Sequence, residues 1–63
     1  MNENKKKFLK LAEAEIDKNN IQSASKYLAQ FAENINEKDL PLEFLNLARK
    51  CIAKDIEFLK NNP

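Results

Sequence analysis

Not one glycine occurs among the 63 residues of this chain. Glycine turns a backbone through positive φ without steric cost, so tight turns must here be made by other residues. Valine and threonine are missing too, while alanine, leucine, glutamate and lysine are plentiful. These are helix formers, and no alternation of period two persists anywhere. The sequence therefore predicts an all-α fold in one small domain spanning 1–63.

Three apolar-periodic segments follow one another. The first runs from about 3 to 18, with Phe8, Ala12 and Ile16 at successive fours on one face and Leu9 and Leu11 beside them. The second runs from about 21 to 36, where Ile21, Ala24, Leu28, Phe31 and Ile35 make steps of 3, 4, 3 and 4. Such spacing is the seam of two packed helices. The third runs from about 41 to 60, with a first stripe of Leu45, Ala48, Ile52, Ile56 and Leu59.

Phase separates the first two segments. At about 100° per residue, a single straight helix would point their stripes to opposite sides. A break at Asn19-Asn20 removes the conflict, because asparagine tolerates the left-handed position past a helix end and also serves as an N-cap. The second boundary lies where Asn34, Asn36, Lys38 and Asp39 weaken the helix. Pro41 suits the first turn of the next one, and Leu40 is held out of the α region by the proline after it. Short connections predict antiparallel neighbours and a three-helix bundle.

Eleven basic and ten acidic residues leave a net charge of +1, too little to steer the whole molecule toward nucleic acid or membrane. The single cysteine, Cys51, gives no disulfide framework and points to a reducing, cytoplasmic location. The chain has no histidine, hence no ordinary general base and no common metal ligand. Without glycine there is no phosphate-cradling loop. No Ser or Cys has a base to activate it. Glu13, Glu15 and Asp17 are too few oxygens for a hard cation. The expectation is a protein that is not an enzyme and has no cofactor, metal or small-molecule substrate.

A domain this small rarely gains more than about 3–5 kcal/mol from one core. Part of its apolar surface is then a candidate for burial against another chain. The third segment carries a second stripe, Phe44, Leu47, Cys51 and Phe58, roughly 120° around the helix from the first. Either that helix is central and uses both stripes internally, or the second stripe meets a protein partner or a second copy of the chain. The second reading takes Phe44, Leu47, Cys51 and Phe58 as partner-binding residues. Asp55, lying between the stripes, is then either an edge ion-pair member or a polar specificity contact. Cys51 on its own is most simply a small buried apolar residue. A rival reading is a small nucleic-acid-binding regulator whose anion contacts are Lys5, Lys6, Lys7 and Lys10, although such a small cluster would bind phosphate weakly and salt-sensitively.

The stretch from Phe8 to Phe31, FLKLAEAEIDKNNIQSASKYLAQF, resembles a tetratricopeptide-type helical hairpin. Phe8, Leu11 and Ala12 fall at that motif's large, large and small positions, Asn19-Asn20 at its turn, and Ala24 and Leu28 on its second helix. Glu15 stands where a large apolar residue is usual, Phe31 where a small one is, and the proline comes late, at Pro41. Microtubule-interacting-and-trafficking domains are similar in pairing such a hairpin with a third helix. The resemblance implies protein–protein binding through packed helices; one repeat alone does not build a concave groove.

Overall fold

A computed structural model describes residues 3–61. Helix α1 spans Glu3–Asp17, α2 spans Ile21–Ala32, and α3 spans Leu42–Asn61. A 3₁₀ turn at Glu37–Asp39 lies between the last two. The result is an all-α three-helix bundle, elongated to 40 × 22 × 15 Å. Helices α1 and α2 form the tight hairpin, and α3 lies more sparingly against both.

Asparagine does the work of the missing glycine at two corners. Asn19 has φ 68° and Asn34 has φ 65°. At the first corner, the Asn20 amide donates to the Glu15 carbonyl at 2.8 Å and the Asn19 amide to Ile16 at 2.9 Å. This pair of bonds, closing around a left-handed residue, satisfies the last carbonyls of α1. The Asn20 carboxamide also donates back to Glu15 Oε2 at 2.9 Å. Its side chain thus holds α1 rather than capping α2, where it makes no cap hydrogen bond.

The second corner departs from the expected boundary. α2 stops at Ala32, four residues before the predicted 36. Glu33 (φ −57°, ψ 126°) and then Asn34 at positive φ make a type II turn, closed by the Ile35 amide on the Ala32 carbonyl at 3.0 Å. Ile35 leaves the helix but still packs, half-buried, on the core. Leu40 is extended (φ −69°, ψ 127°), as the following proline requires. Pro41 stands one residue outside α3, its carbonyl accepting from Leu45 at 3.2 Å. Replacing Asn34 by Val should cost about 1–2 kcal/mol, because a branched Cβ collides in the left-handed region. Asn34→Gly should be neutral or stabilising, and thermal melts of the two variants compare them directly.

The core is small and wholly apolar. Leu9, Ala12 and Ile16 come from α1, Ala24, Leu28 and Phe31 from α2, and Leu47 and Cys51 from α3. Ala12 and Ala24 are fully buried, which lets the hairpin helices approach closely. Phe8 stacks on Tyr27 at 6.3 Å between ring centroids, and Phe31 stacks on Phe44 at 5.6 Å. No buried polar or charged residue is present among the described residues.

Candidate functional site

Two apolar faces compete for the inside of α3, and the structure buries the one assigned to a partner. Leu47 and Cys51 are core residues, 3% and 5% exposed. Phe44 is half-buried against Phe31. A partner cannot reach Leu47 or Cys51 while the bundle is closed, so the reading that made them partner-binding residues is corrected, and for these two the other reading, internal use of the stripe, holds. The physical reason lies in the connector and in α2. Ile35 and Leu40 pack on the core and fix how α3 enters, and the Phe31 ring at the end of α2 takes the Phe44 ring as its neighbour. Two faces of similar apolarity were available, and ring shape together with entry angle selected between them. Phe58, of the same stripe, lies beyond the end of the core and is 64% exposed.

The stripe expected inside faces out instead. Leu45 is 39% exposed, Ile52 59%, Ile56 50% and Leu59 66%; only Ala48 is half-buried. Leu42, at 67%, extends the same row toward the start of the helix. With Arg49 in its middle, the row steps 3, 4, 3, 4 and 3 along α3: Leu42, Leu45, Arg49, Ile52, Ile56, Leu59. That spacing is the coiled-coil seam, and it was legible in the sequence once Leu42 and Arg49 are counted in. The exposed aliphatic side chains thus form one row along α3, interrupted in its middle by Arg49.

An open cleft of about 440 Å³ lies beside this face, between the α1–α2 turn and the last turns of α3. Asn19, Ile21 and Gln22 line one wall, and Lys54, Asp55 and Phe58 the other. Asp55 is exposed here. Its charge reaches Cys51, whose thiol is pushed up by burial first and by Asp55 second, opposed by a hydrogen bond with Ser25. A thiol so placed is a poor nucleophile.

The sign of the pH effect follows. The folded pKa lies above the unfolded value of about 8.5, so this contribution to stability is complete below that value. It is lost as pH rises through the folded pKa. Melting temperature should therefore fall on the alkaline side, and part of the fall should vanish in Cys51→Ala. Thiol reagents at neutral pH should label Cys51 only as fast as the bundle opens.

The N-terminal lysines divide. Lys5 donates its ammonium to the Glu33 backbone carbonyl, just past the end of α2. These charges sit at the unfavourable end of their own helix. The antiparallel hairpin, however, brings Lys5 to the negative end of its neighbour, where a cation stabilises. Lys5 therefore directs one of its three donors to the end of α2. Lys6, Lys7 and Lys10 are exposed, with Lys7 Nζ 5.7 Å from the Phe8 ring centroid. Among the described residues, no group of three or more His, Cys, Asp or Glu converges as a metal site. No described helix is long and apolar enough to cross a membrane.

No protein-family model, curated protein or solved structure matches this chain.

Proposed function

We propose that the protein is a small non-enzymatic interaction module that binds another helix through the outward face of α3. The observation that carries this reading is the row Leu45, Ile52, Ile56 and Leu59, solvent-exposed at helix-pairing spacing. Leaving such a row in water forfeits burial of roughly 1.5–3 kcal/mol for each large aliphatic side chain covered. The hairpin beneath, with its likeness to a tetratricopeptide unit, acts as a platform that presents α3. A regulatory role in the cytoplasm, exerted by occupying a partner's helical surface, accords with the absence of histidine and the single unactivated thiol.

The test compares the wild-type chain with an Ile52→Asp, Ile56→Asp double variant in cells, using crosslinking through surface lysines. The wild type should be recovered crosslinked to a protein, itself or another, and the variant should not. Equal recovery from both, at matched helicity, would remove α3's outer face from the function.

A further inference from the structure

We infer that the occupant of the α3 seam is a second copy of this chain, lying antiparallel on the first. The inference rests on the proposal that this seam is the binding face, and adds what binds there. Its first support is self-complementarity. Read in reverse, the row Leu42, Leu45, Arg49, Ile52, Ile56, Leu59 has the same steps. Laid antiparallel on itself, it sets Leu42 against Leu59, Leu45 against Ile56, and Arg49 against Ile52. Every layer of the seam is filled without any adjustment, as an isologous two-fold contact requires.

Charge selects the direction. A parallel, in-register pair would place both Arg49 side chains in one central layer, repelling in a desolvated setting. The antiparallel pair moves them into successive layers. Each aliphatic stem then covers an isoleucine while the guanidinium reaches water at the edge. The helix ends agree. α3 has Glu43 in its first turn and Lys60 in its last. Antiparallel pairing brings unlike ends together and opposes the two helix dipoles, whereas parallel pairing brings like ends together.

Area sets the strength. Five aliphatic side chains between 39% and 67% exposed offer on the order of 500 Å² per copy, so a pair buries about 1,000 Å², the lower end for a specific interface. An interface of this size is that of a weak, reversible dimer. It also covers the stretch of α3 that adds nothing to the buried core: from Ile52 to Asn61 no residue is buried.

The experiment is sedimentation velocity on the purified chain from about 5 to 500 μM, a range spanning the affinity expected of so small an interface. The wild type should pass from one-chain to two-chain mass. Arg49→Leu, which completes the apolar seam, should dimerise at least tenfold more tightly. Ile52→Asp should remain monomeric throughout, with unchanged helicity. Orientation is read by mild oxidation of an equimolar mixture of a Leu42→Cys chain and a ¹⁵N-labelled Leu59→Cys chain. Crosslinks between unlike chains should prevail.

Crosslinks between like chains, a mass above two copies, or a single-chain mass for the wild type across the range, whatever Arg49→Leu does, would each overturn the inference. In the last case, the seam as a binding face survives if Ile52→Asp, Ile56→Asp still abolishes crosslinking to a different protein. If the double variant alters nothing, both fall. Should Ile52→Asp lose helicity, the gain expected of Arg49→Leu decides alone.

Discussion

Phe31→Ala should leave the chain largely unfolded at 25 °C. Phe31 is the largest fully buried side chain, with 0% exposure, and its ring stacks on Phe44 at 5.6 Å. It is an aromatic contact by which α2 holds α3. Truncating a buried phenylalanine costs about 3–5 kcal/mol, in lost transfer energy and in the cavity left behind. A core of this size supplies about the same amount in total. Circular dichroism should show the loss as a collapse of helical signal, not merely as a shifted melt. A well-folded Phe31→Ala with a melting temperature within a few degrees of the wild type would mean that α3 is held by something other than this stack.

The second large effect is a contrast between neighbours on α3. Leu47→Asp places a carboxylate in a site that is 3% exposed, within the apolar core cluster. An unpaired buried charge is among the most destabilising changes known, and its desolvation should exceed the whole stability of the domain. Ile52→Asp puts the same group where the side chain is 59% exposed, and at low protein concentration its effect should stay within about 1 kcal/mol. Urea titrations of the pair at a few micromolar measure the difference. The opposite ranking would mean that α3 is rotated so that Ile52 faces inward. That is the orientation the sequence pattern by itself had favoured.

The contrast shows where sequence reading succeeds and where it stops. The three helices and the break at Asn19-Asn20 were legible because phase arithmetic and turn chemistry agree there. Pro41 and Leu40 marked the start of α3 through a local steric rule that tertiary context does not override. The end of α2 was not legible. Asn34 is one of several polar residues after Phe31, and nothing local distinguishes the one that takes positive φ. The rotation of α3 was hidden for a deeper reason. Periodicity reports that a face is apolar, not which of two apolar faces meets the hairpin. That choice depends on long-range fit, on Phe44 finding Phe31 and on how Ile35 and Leu40 steer the entry. The destination of Lys5 was equally out of reach, since its acceptor lies on another helix.

The pairing of Phe8 with Tyr27 has a use. The chain has no tryptophan and one tyrosine, so Tyr27 is its sole strong near-ultraviolet emitter, seated where α1 meets α2. Its fluorescence follows first the joining of those two helices, where its ring stacks on Phe8. Far-ultraviolet ellipticity averages over all three. Overlaid denaturation curves from the two signals would coincide if the molecule melts as one unit. They would separate if the third helix lets go first, giving a built-in optical gauge of how cooperative this small protein is.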